Sequence, residues 1–277
     1  MATYLGTHGG KIQTYSTDPT YPNTGEVWYN STSNTIKMEA VTTAGSWATG
    51  GALNQFRDQA AGSGTVTSTL VFGGGSPGVA VTESWNGSNW TEVNDLNTAR
   101  YFLAGTGIIT AALAYGGDGN SSATESWNGT NWTSVNSMNS GRAAPISAGV
   151  QTSAVAAGGG SATAVTELWN GTNWTEVNDL NTARVGAGGA GVSNTSAIAF
   201  GGSVAYPSPP PPTVPSNVVE EWNGTNWTET TDLSTARAYI AGSGTKTAAL
   251  ASGGSDKTNT EEWTGSGAPQ IRTISTD

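Results

Sequence analysis

The chain has no cysteine and a single histidine in 277 residues. Neither a disulfide framework nor thiol chemistry is therefore available to it. With His8 alone, no Ser-His-Asp or Cys-His arrangement can be assembled, and no metal-ligand spacing of His and Cys exists. Charge is scarce too, at 11% of residues, and its net value of −10 disfavours nucleic-acid backbones and anionic membranes. Apolar runs such as Ser68–Phe72 fall far short of the roughly 20 residues that cross a bilayer, so no membrane insertion is expected. Met1 to His8 carry neither a basic flank nor an apolar core, so no secretory signal is expected. Heptads and collagen-like runs are missing, which excludes a long trimeric stalk within the chain. Against these gaps stand eleven tryptophans, enough large apolar surface to argue against disorder.

What fills the chain is a repeated phrase. Thr82-Glu-Ser-Trp-Asn-Gly-Ser-Asn-Trp-Thr-Glu-Val-Asn-Asp-Leu-Asn-Thr-Ala-Arg100 returns at Glu125 to Arg142, Glu167 to Arg184 and Glu220 to Arg237. Asn-Gly accepts the positive φ of a tight turn, which places Trp85 and Trp90 on paired strands. Each unit opens after an arginine with a strand of small residues, and an apolar strand ending in a double glycine follows. The two tryptophan strands close the unit. Arg57, Arg100, Arg142, Arg184 and Arg237 mark five units at intervals of 43, 42, 42 and 53. Four strands per period near 42 residues read as a propeller or a solenoid. Glycines on the first strand, such as Gly105, suit the crowded innermost place of a propeller. The long interval holds about eleven extra residues around Tyr206–Pro215, a proline run that favours an extended surface loop. Residues 1–45 do not repeat, and contain a strand at Lys11–Tyr15 and a hairpin over Gly25–Met38.

Five of the six arginines belong to the repeat, and each unit sets one glutamate two residues before its first tryptophan: Glu83, Glu125, Glu167, Glu220 and Glu261. One of each per unit reads as a structural ion pair, with the guanidinium stacked on a tryptophan. The functional alternative is a ring of arginines gripping an anion. The tryptophans pose the same choice. Trp85, Trp127, Trp169, Trp222 and Trp263 are expected in the packing. Trp90, Trp132, Trp174 and Trp227 are expected nearer the rim as candidate ligand contacts, with Pro209, Pro210, Pro211 and Pro212 of the inserted loop. Most carboxylates are repeat mates, whereas a glycosidase needs two in different environments. No Lys-Ser/Thr follows any glycine pair, so a phosphate loop fails. No catalytic residue, cofactor or metal is assigned, and the chain reads as non-enzymatic.

The last unit has Trp263 without a mate. Trp47 stands ten residues before Arg57, as Trp90 stands before Arg100. Ser46-Trp47-Ala48 is therefore expected to form the outer strand of the last unit and close a ring.

With the double glycine, the downstream aromatic pair and a period in the forties, the units resemble kelch-type propeller repeats, without the kelch tyrosine between glycines and tryptophan. The wording Glu125-Ser-Trp-Asn-Gly-Thr-Asn-Trp-Thr133 is similar to repeat proteins encoded by tailed phages of marine and freshwater bacteria. Gly25-Glu-Val-Trp-Tyr-Asn-Ser-Thr-Ser-Asn-Thr-Ile-Lys37 resembles a segment common in phage fibre and virion proteins. These likenesses imply an all-β fold, a five-bladed kelch-like β-propeller over residues 46–277 behind a short N-terminal β-hairpin arm, residues 1–45. They imply a place on the virion surface, as a tail-fibre or decoration module. The arm would bind other virion structural proteins, and the propeller a host-surface glycan or protein. A purely structural decoration protein and a cellular lectin-like protein are the alternatives.

Overall fold

The computed structural model describes residues 13–17, 27–38, 50–204, 214–254 and 258–265. The chain divides into two compact units, Met1–Thr49 and Gly50–Asp277. In the first, β1 (Gln13–Tyr15) runs parallel to β2 (Val27–Asn30), which pairs antiparallel with β3 (Thr35–Met38). Asn30 Oδ1 accepts the amides of Thr32 and Ser33, both at 3.0 Å, and so shapes the turn between β2 and β3. Trp28 is buried on β2.

The second unit is a succession of antiparallel sheets. The first sheet is β4 (Ala61–Thr65), β5 (Ser68–Phe72), β6 (Thr82–Trp85) and β7 (Trp90–Val93). The second holds β8 (Ala104–Ile108), β9 (Ala111–Tyr115), β10 (Thr124–Trp127) and β11 (Trp132–Val135), with one 3₁₀ turn at Asp118–Asn120. The third comprises β12 (Ile146–Val150), β13 (Ser153–Ala157), β14 (Thr166–Trp169) and β15 (Trp174–Val177). In the fourth, β16 (Gly188–Ser193) and β17 (Ser196–Phe200) precede a two-stranded ribbon, β18 (Ser203–Val204) with β19 (Val214–Pro215); β20 (Val219–Trp222) and β21 (Trp227–Glu229) complete it. The fifth has three described strands, β22 (Ala241–Thr245), β23 (Ala248–Ser252) and β24 (Thr260–Trp263). The first strands lie side by side in the order β4, β8, β12, β16, β22. This is an all-β, kelch-like propeller arrangement.

Packing between sheets follows from alternation along the second strand. In β9 the side chains of Ala112 and Ala114 face the first sheet's cluster, with Leu70 and Phe72. Leu113 and Tyr115 point the other way, onto Ala154 and Ala156 of β13. At the first two junctions small faces thus meet large ones, which lets the sheets pack closely. The first strands crowd more tightly still. A Cβ on Gly105 would come within 2.5 Å of the Phe72 ring. Gly107 has a φ of +113, and a Cβ there would lie 2.2 Å from the Ala111 carbonyl oxygen.

Candidate functional site

Each repeat arginine turns the chain into the first strand of a sheet and reaches the glutamate on that sheet's third strand. The pairs are Arg57–Glu83, Arg100–Glu125, Arg142–Glu167, Arg184–Glu220 and Arg237–Glu261. All these side chains are buried except Glu261, at 24% exposure. The connection just before the arginine adds a second clamp. Asn97 donates its backbone amide (2.7 Å) and Nδ2 (2.8 Å) to Glu125 Oε2, and Nδ2 also reaches the Trp132 carbonyl. Asn54, Asn139 and Asn181 do the same for Glu83, Glu167 and Glu220. In the fifth sheet Ser234 offers only its amide to Glu261. Burial lowers the pKa of Arg100 and Arg184, against the carboxylates of Glu125 and Glu220, which hold the guanidinium charge in place. The five guanidinium groups face carboxylates inside the sheets, where no outside anion reaches them. They are frame.

The tryptophans are frame as well. Trp127 and Trp132 stand directly opposite across their hairpin, with ring centroids 5.4 Å apart, so both indoles occupy one face. Trp132, Trp174 and Trp227 are each only 5% exposed. Their Nε1 groups donate at 3.0 Å to Thr82, Thr124 and Thr166 Oγ1 of the preceding sheet. The expectation that these three sit near the rim, free to stack on sugars, is corrected: the hairpin directs them into the cleft between sheets. Trp127, Trp169 and Trp222 are buried beside them, while Trp85, Trp90 and Trp263 are half-buried at the two ends of the array. Trp47 and Pro209 to Pro212 lie outside the described residues.

A different set of residues converges on an open cavity. Two positions after each arginine, the backbone takes a left-handed turn: Gln59 (φ 54), Phe102 (φ 53), Ala144 (φ 47), Gly186 (φ 62) and Tyr239 (φ 55). Amides reach from one such residue to the carbonyl of the previous one, Phe102 to Gln59 at 3.0 Å, Ala144 to Phe102 at 2.7 Å and Tyr239 to Gly186 at 2.6 Å. These residues and the beginnings of all five first strands line a cavity of about 530 Å³. Tyr239 is 56% exposed. Its ring lies across Gly186, where a Cβ would come within 2.8 Å of it, and its centroid is 6.4 Å from that of Phe102.

The loops after the double glycines hang from the same turns. Gly75, Asp118, Gly160 and Ser203 donate their amides to the carbonyls of Asp58, Tyr101, Ala143 and Val185, the residues immediately after four of the arginines. The β18–β19 ribbon, which carries the inserted loop, rises from this face. Sequence reasoning passed over this mouth, because its five positions hold four different side chains and a glycine. The signal was there in another form: an invariant arginine followed each time by different residues.

No family model matches the chain, and no curated protein matches it. Solved structures do. One is a structure of YjhT, similar at 14% identity and a TM-score of 0.63, over 74% of this chain and 81% of that one. A likeness at this identity establishes the fold and leaves function to the site.

Proposed function

We propose that the chain is a non-enzymatic binding module on a phage virion surface, part of a tail fibre or a decoration protein, adhering to a host-surface glycan or protein through the five-turn mouth. One observation carries the binding role: repeat-to-repeat differences gather on this face, on nearly identical backbones, while arginines, glutamates and tryptophans repeat beneath it. A constant frame under a variable surface is how scaffolds present recognition residues. The virion setting rests on the phage-like wording of the repeats and of residues 25–37, with residues 1–45 as the attachment arm. Purified chain should adhere to host cells. The double variant Phe102→Ala/Tyr239→Ala should lose at least about tenfold in affinity, as truncated aromatic anchors do, with its melting temperature unchanged. Full adhesion by that variant would favour the purely structural decoration role.

The unit is proposed to be a five-bladed ring closed by Ser46-Trp47-Ala48. Asn54 and Arg57 hold Glu83 as Asn97 and Arg100 hold Glu125, so the chain entering the first sheet follows the path of a connection leaving a preceding one. The fifth sheet has no fourth strand among the described residues. Between the fourth and fifth sheets, a cavity of about 160 Å³ lined by Phe200, Val219, Leu233 and Trp263 lies where the other clefts hold their second indole. A cavity of roughly 150 Å³ admits a benzene-sized ring. In the repeat's register Ala48 would face Glu262. The variant Ala48→Cys/Glu262→Cys, in a chain without other cysteines, should form an intramolecular disulfide on oxidation. Free thiols in the folded, oxidised protein would exclude the closure.

A further inference from the structure

We infer that the mouth takes an uncharged sugar, a pyranose laid on the Tyr239 ring, and not an acidic glycan; this rests on the binding role proposed above. The cavity is of ligand size, about 530 Å³ within the roughly 300–1,000 Å³ common for small-molecule sites. Its lining contains no Asp, Glu, Lys or Arg. The repeat arginines, which would be the natural partners of a carboxylate or sulfate, are held by buried glutamates. Lys246 pairs with Glu221 at 3.4 Å. A net charge of −10 further opposes an anionic ligand.

What the mouth does present is one broad aromatic face and polar groups around it. Tyr239 is more than half exposed, and Gly186 beneath it removes the side chain that would lift its ring. Phe102 extends the apolar surface beside it. The C–H face of a pyranose matches such a ring, while its hydroxyls both donate and accept. Gln59 and Ser147, with the backbone of the glycine-rich first strands, supply donors and acceptors without charge. A neutral polyol satisfies both surfaces. An anion would find donors there but no positive charge to offset its own.

The test is a panel of immobilised saccharides, neutral hexose-terminated and matched uronate-, sialate- or sulfate-terminated, probed with the full chain at low and high salt. Binding is expected to neutral members, with affinity changed less than about twofold by salt, since no charge pair is screened. Tyr239→Ala should weaken it at least tenfold and Tyr239→Phe should preserve most of it. Binding confined to acidic members, or lost at high salt, would overturn the inference. Binding to no saccharide, with cell adhesion still lost in Tyr239→Ala, would also overturn it, and would leave the adhesion role standing with a protein receptor. Absence of cell adhesion as well would remove both.

Discussion

Glu167 accepts four hydrogen bonds, from Arg142 Nη2 and the Ser140 amide on Oε1, and from the Asn139 amide and Nδ2 on Oε2. Such a carboxylate is tolerated inside a protein only because every lone-pair direction is answered. Arg142→Ala leaves that charge buried without its counter-ion. It should cost about 3–5 kcal/mol, the usual price of breaking a buried pair from one side, read as a fall in melting temperature by circular dichroism. Arg237→Ala should lower it less, because Glu261 keeps contact with water. Equal falls would mean that solvent contact does not relieve the stranded carboxylate. The arginine–glutamate pairing was legible from the count of one each per unit. The asparagines were not. An Asn in a polar connection looks like turn chemistry, and nothing in its spacing reveals that its amide bridges a buried carboxylate and a tryptophan carbonyl.

At the scale of the element, the tryptophan hairpin carries the lesson. Residues directly opposite in an antiparallel pair share a face, so a buried Trp127 compels Trp132 to point the same way. The turn and the five-residue spacing held that information. What sequence could not show was that a neighbouring sheet covers this face, and that a threonine fifty residues away awaits the indole N–H. Thr124→Val should leave Trp174 Nε1 buried and unpaired, at a cost of about 1–3 kcal/mol in urea unfolding; no loss would mean that the bond adds nothing net. The chain contains its own control. Val219 occupies the corresponding place on β20, facing the cleft whose second indole is absent from the described residues. Backbone sets a further limit at Gly107, where a side chain would combine a strained φ with a collision. Gly107→Ala should destabilise by more than the roughly 1 kcal/mol that Gly and Ala differ in ordinary conformations. The mouth was illegible for a related reason: Gln59, Phe102, Ala144 and Tyr239 adopt a conformation usually left to glycine, which residue identity does not announce.

For the whole molecule, the inserted loop tests how far the frame stands alone. Its base is the β18–β19 ribbon, and the Arg184–Glu220 pair spans the insertion beneath it. Deleting Ser208–Thr213 should therefore leave the melting temperature within a degree or two, since surface loops are tolerant of length. Loss of folding would make the loop a packing element and detach it from recognition. The clamped connection has a broader consequence. Asn97, Arg100 and Glu125 lock a sheet to the segment before it through the same groups used at the next boundary and the one after. The junctions that carry the full Asn–Arg–Glu clamp are thus interchangeable, and a unit of about 42 residues behaves there as a cassette. Exchange between the near-identical tryptophan phrases would swap one mouth residue and one neighbouring loop while preserving each clamp, so the residues of the mouth can change without altering how the chain folds.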